Sequence, residues 1–152
     1  MLRTRFQEQL KQSMHARDQI ATSTLRLIIA AMQDRDIAAR GKGNWDGISE
    51  DEILLMLRSM VKQRLESIKM YEIGKRMDLV EREKAEVRII ETFLPKQMDD
   101  AQIKTIIEEV VTSVQATGLK DMGKVMAEMK VKYPGQLDFS KASGMVKSRL
   151  GG

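Results

Sequence analysis

Apolar residues recur at helical spacing along almost the whole chain. Leu2, Phe6, Leu10 and Met14 return every fourth residue, which predicts a first helix with one inward stripe. Leu25, Ile28, Ile29 and Met32 predict a second. It fades into "AARGKGNWDG" (Ala38 to Gly47), the longest loop, marked by its glycines and Asn44. Ser49 opens a third helix, its hydroxyl placed to accept from the Glu52 backbone while the Glu52 side chain reaches back, a capping box. Ile53, Leu57, Met60, Val61 and Ile68 form that helix's inward face. Gly74 is expected to end it through a left-handed residue. Asp78 and Glu81 repeat the capping spacing for a fourth helix, with Val80, Val87, Ile90 and Leu94 inward. Pro95 stops that helix, because proline disfavours helical geometry in the residue before it.

"PKQMDD" (Pro95 to Asp100) is therefore read as a domain boundary. Beyond it, Asp99 with Gln102 caps a fifth helix whose face is Ile103, Ile106, Ile107, Val110 and Val114, and Gly118 is expected to end it. Asp121 is expected to cap a sixth helix, whose one apolar face is Met122, Val125, Met126 and Met129. "YPGQLD" (Tyr133 to Asp138) breaks the chain again. Asp138 caps a last helix with Phe139, Ala142, Met145, Val146 and Leu150 inward. No sustained alternation and no Asn-Gly hairpin turn appears.

The expected fold is all-α: an N-terminal helical domain of about four helices over residues 1–95, then a C-terminal three-helix bundle over 96–152. A three-helix unit of roughly fifty residues is only marginally able to fold alone. It cannot leave a whole helix face wet, so the methionine stripe is read as core, with flexible side chains filling irregular gaps. Gly123 either lies in the first turn, where its helix penalty is small, or lets a neighbouring backbone come close.

Composition narrows the chemistry. Of 152 residues, 42% are hydrophobic and 32% charged, which suits a soluble, core-forming chain. Aromatics are only 4%, so aliphatic residues and methionine must fill the cores. There is no cysteine, which removes disulfides, thiolate nucleophiles and zinc–cysteine sites, and fits a reducing cytosol. "MLRTRFQEQLKQS" lacks the apolar stretch of a signal peptide, and no run approaches the roughly 20 apolar residues of a membrane span. These features give the expectation of a cytoplasmic protein without a membrane role.

No catalytic, metal or cofactor site emerges. His15 is the single histidine and reads as a surface or helix-terminus residue. "VEREKAEVR" (Val80 to Arg88) is a solvated face of weak ion pairs. "GKG" (Gly41 to Gly43) lacks both the preceding strand and the ending of a phosphate-binding loop. What remains is basic surface: 26 basic residues exceed 22 acidic ones, for a formal charge of +4. Lys120, Lys124, Lys130, Lys132, Lys141, Lys147 and Arg149 lie in the second part, and capping by Asp121 and Asp138 leaves its exterior more basic than the count. Lysines there can hold phosphates, but no aromatic platform accompanies them, which favours a folded RNA over single-strand reading.

"TSTLRLIIAAMQDRDIAARG" (Thr22 to Gly41), "FLPKQM" (Phe93 to Met98), "KDMGKVMAEMK" (Lys120 to Lys130) and "DFSKASGMVKSRL" (Asp138 to Leu150) resemble the YqeY family, in order and over essentially the whole chain. The resemblance implies a stand-alone relative of the tail domain of the B subunit of the glutamine-dependent aspartyl/glutamyl-tRNA amidotransferase, a tRNA-contacting appendage remote from the transamidation site. It implies tRNA or a similar structured RNA as partner, and it carries a carbon–nitrogen ligase label with glutamine as amide donor. The parts that phosphorylate and receive ammonia have no counterpart in this sequence, so independent catalysis is not expected. By the same resemblance Lys124, Lys141 and Lys147 are the basic positions of the matching helices. Family members often carry arginine in the turn before the last helix; Gln136 stands there here, which removes a fixed charge. The alternative is an adaptor docking on an amidotransferase or aminoacyl-tRNA synthetase, with Trp45 of the long loop as anchor.

Overall fold

A computed structural model describes residues 1–151, all helices and connections with no strand among them. The helices are α1 (Leu2–His15), α2 (Gln19–Gly41), α3 (Glu50–Ile73), α4 (Met77–Glu91), α5 (Asp100–Ser113), α6 (Met122–Lys132) and α7 (Phe139–Gly151). A 3-10 turn, Leu119–Asp121, runs into α6. The chain divides into two compact units, Met1–Leu94 and the remainder from Pro95.

In the first unit, α1 packs on α2, and α4 packs on α3 and α2. The apolar faces expected of α2 and α3 are buried, and Met56 joins them. The α1 stripe runs out before its end: Leu2 and Phe6 are buried and Leu10 half-buried, whereas Met14 is exposed. It lies in the last turn before the chain reverses at Arg17, and its sulfur accepts from Arg26 instead. Phe6 and Phe93 meet edge to face at 4.9 Å, and the Arg5 guanidinium sits 5.1 Å from the Phe93 ring. Between α3 and α4, Arg64 donates to the buried Glu86 carboxylate at 3.2 Å, and burial and that neighbouring carboxylate push Glu83 up.

One polar knot ties the long loop to two helices. Arg3 of α1 forks onto Asp36 of α2 at 2.7 and 2.8 Å and donates to the Ile48 carbonyl at 2.9 Å. Asp36 also accepts from the Ile48 backbone at 2.8 Å. Gly47 passes beside the knot with φ +85°, and a Cβ there would stand 2.6 Å from the Asp36 carboxylate, so only glycine fits.

Helix ends differ from expectation more than helix faces do. The Ser49–Glu52 and Asp99–Gln102 capping boxes form, and Asp138 accepts from Ser140 at the start of α7. Asp78 does not cap α4. The left-handed turn leaves Arg76 alone before the helix, and Asp78 pairs with its guanidinium from inside the first turn. Asp121 does not cap α6 either. The 3-10 turn occupies that place, and the carboxylate turns back to accept from Thr117. Gly74 has φ −77°, and the left-handed residue is Lys75 at φ 57°. Gly118 does not end α5, which stops at Ser113 with left-handed Gln115 beyond it.

Arg17, Lys75 and Gln115 share one device. At Lys75, the Lys75 and Arg76 amides donate back to the Glu72 and Tyr71 carbonyls, and the same two-bond closure follows α1 and α5. Side chains hold a left-handed conformation that favours glycine. Lys75→Gly is expected to stabilise the fold by about 1 kcal/mol in urea unfolding, with Lys75→Ala close to wild type.

Arg3 holds the Asp36 carboxyl at about 2, below its ordinary 3.8. A depressed carboxyl contributes stability that is present above the unfolded value and lost as pH falls through the folded one. Asp36→Asn is therefore expected to cost up to about 2 kcal/mol above pH 4, with the deficit shrinking toward pH 2. Urea midpoints of both proteins across that range check it.

Candidate nucleic-acid interface

The second unit is built on a single small core. Ile103, Ile106, Ile107, Val110 and Val111 of α5 meet Val125 and Met129 of α6 and Ala142 and Val146 of α7. Val125 and Met129 are wholly buried, and Met122 and Met126 pack half-buried against the cluster. The methionine stripe is core. Leu137, in the loop before α7, is buried too, and no periodicity marked it. Gly123 lies exposed in the first turn of α6, and an added Cβ there would meet nothing within 4 Å, so no neighbouring backbone approaches it.

The loop before α7 is anchored by backbone. Gln97 donates to the Gly135 carbonyl at 2.7 Å, and the Met98 amide donates to the Gln136 carbonyl at 2.8 Å. Gln136 thus holds the loop through its main chain, where its side chain supplies no charge.

All seven basic residues expected to grip RNA are exposed, but they do not form one patch. Lys132 is paired with Glu128 at 3.2 Å, one turn back on α6. Lys141 pairs with Asp100, and Arg149 with Glu108, both across from α7 to α5. Among the described residues, Lys120, Lys124, Lys130 and Lys147 have no carboxylate within ion-pair distance. Lys120 stands exposed in the 3-10 turn and Lys124 exposed in the first turn of α6, next to the buried Val125.

Lys141 and Arg149 instead line a surface groove of about 560 Å³ between α5 and α7. Lys104 joins them there, although the basic positions expected to matter all lay beyond α5. Its signal was present in the sequence: Lys104 stands one turn before Glu108 and next to the inward Ile103. The Arg149 guanidinium draws the Glu108 carboxyl below its ordinary value, and the pairing holds Arg149 over the groove.

His15 is exposed at the end of α1. Trp45, the alternative anchor, is 76% exposed rather than tucked against its helices. Among the described residues no helix is long and apolar enough to cross a membrane, and no cluster of His, Asp or Glu is arranged to hold a metal ion.

Helices alone build the described residues, and the second unit sets three of them on one core with its cations outside; this is a small all-α protein with a basic helical exterior. The chain belongs to the YqeY family, since the profile for Yqey-like proteins matches residues 3–150. It is similar to the altered inheritance of mitochondria protein 41 of Lachancea thermotolerans, 29% identical over 95% of this chain and 76% of the relative. The protein of that name from Kluyveromyces lactis is 29% identical over 91% of this chain and 75% of the relative. That of Saccharomyces cerevisiae is 30% identical over 68% and 57%. These relatives are named as mitochondrial proteins, which overturns the expectation of a cytoplasmic one drawn from composition. Absence of cysteine does not discriminate between reducing compartments, so that inference had no physical force.

The Arg149–Glu108 pair is checked by titration. In a carboxyl-carbon NMR titration, Arg149→Gln is expected to return Glu108 to the usual carboxylate range.

Proposed function

We infer that the chain is a non-catalytic accessory protein that binds tRNA or a similar structured RNA through its C-terminal helices. The observation that carries this reading is the set Lys120, Lys124, Lys130 and Lys147, exposed and outside ion-pair distance of any carboxylate among the described residues, on a unit whose apolar faces are buried. Exposed lysines act on phosphates as point charges and read no bases. Spread over a rigid bundle, they suit a folded RNA whose phosphates already have fixed positions. The family's link to the amidotransferase tail domain points the same way, and its carbon–nitrogen ligase label describes that larger enzyme rather than this chain.

A second reading is favoured by Trp45. An exposed tryptophan within the loop between α2 and α3 is a ready anchor for a protein partner in the aminoacyl-tRNA pathway. A pull-down separates the two: a partner that survives nuclease treatment and is lost with Trp45→Ala belongs to the adaptor reading.

Binding to tRNA is expected to weaken steeply as salt rises. Lys124→Ala and Lys147→Ala should each flatten the slope of log affinity against log salt by about one unit, without loss of fold. Affinity that ignores salt, or its absence at low salt, rules the RNA reading out.

A further inference from the structure

The groove between α5 and α7 combines two chemistries that the lysine surface lacks. Its apolar floor is the half-buried Met145 over the core residue Ile107, and the neighbouring Gly144 leaves it open: an added Cβ there would meet nothing within 4 Å. Its rim is cationic, with Lys104, Lys141 and Arg149. Glu108 and Ser148 add a hydrogen-bond acceptor and a hydroxyl. Its volume of about 560 Å³ falls in the size range of small-ligand sites, in a groove that stays open to solvent.

We propose that this groove takes one unpaired nucleotide of the bound RNA, its base on Met145 over Gly144 and its phosphate among Lys104, Lys141 and Arg149. The inference rests on the RNA reading and adds the kind of RNA preferred: one that presents a nucleotide outside its helices. Charge complementarity selects the occupant. Three cations face two carboxylates, Glu108 and Asp100; Lys104 is outside ion-pair distance of both, although its charge also acts on Glu108. The Lys141 and Arg149 pairs are roughly half exposed, and such pairs are weak enough for a phosphate to compete with them. Size selects it further. An amphipathic helix needs apolar anchors spread over two or three turns, and here α7 offers Met145 alone. A base needs one flat apolar seat with polar groups at its edge. Any base can lie on an aliphatic seat of this kind, so the groove senses an unpaired nucleotide without choosing its sequence.

Gly144→Leu tests this without threatening the fold. Leucine is the better helix former, and the new side chain enters the groove rather than the core. The probes are two RNA hairpins with the same stem and tight loop, one blunt and one with a short unpaired tail, followed by fluorescence anisotropy. Wild type is expected to bind the tailed hairpin several-fold more tightly. Gly144→Leu should bind both equally, at the wild-type affinity for the blunt one. Gly123→Leu, equally free of neighbours but on α6, should keep the preference. A preference that survives Gly144→Leu overturns the assignment, and so does wild type that binds the blunt hairpin but shows no preference. An acidic amphipathic peptide whose binding Gly144→Leu abolishes, with the hairpin preference intact, gives the groove to a protein instead. Failure of both hairpins to bind at low salt strikes the RNA reading itself and is thereby distinguishable.

Discussion

Burial of Val125 and Met129 is the constraint on which the second unit depends. Three helices of eleven to fourteen residues can build only one core, and each contributes a single apolar face to it. If α6 left its stripe in water, α5 and α7 would have nothing to close against, since their own faces already point at one cluster. The requirement fixes the rotation of every helix about its axis. It thereby also fixes what remains outside: lysines, short polar residues and the exposed glycines of α6 and α7. Function in this unit has to be written in that exterior.

The faces of the helices were legible in the sequence because burial acts on many residues at once. A stripe such as Ile53, Leu57, Met60, Val61 and Ile68 is over-determined, and one misplaced residue does not hide it. The ends were less legible because each depends on one or two bonds. Glycine is the usual signal of a left-handed exit, yet here Arg17, Lys75 and Gln115 take that conformation. The backbone closure that forces it is a property of the turn and not of the residue. Asp78 and Asp121 look like caps by spacing, but each carboxylate found a nearer donor, in Arg76 and Thr117. The long-range Arg3–Asp36 knot had no local signature at all, because its partners lie 33 residues apart.

The candidate site was legible residue by residue but not as an arrangement. Seven basic positions could be named from the sequence; which of them share a surface depends on how α7 turns against α5. Lys141 and Arg149 come to one groove with Lys104, while Lys147, on a different flank of α7, does not line it. Nothing in the sequence singles out Gly144. Its meaning appears only with α5 in place, where the missing side chain is the space itself.

Pairing also changes what the charges can do. Formal charge counts Lys132, Lys141 and Arg149 equally with Lys124, but each of the three already has a carboxylate, and a phosphate must displace or share it. Lys120, Lys124, Lys130 and Lys147 are outside ion-pair distance of any carboxylate among the described residues, so on the RNA reading they would be the first cations a polyanion meets. Their number limits the electrostatic part of binding: four lysines, each releasing close to one counterion from the RNA, account for a salt slope of roughly three to four. A steeper slope requires the paired cations to let go of Asp100 and Glu108. The rim of the groove is where that exchange is easiest, because its pairs are solvent-exposed and hold their partners weakly. On the RNA reading, attraction by the lysines and capture at the groove would therefore be separable stages, the first set by charge number and the second by an apolar seat that salt does not weaken.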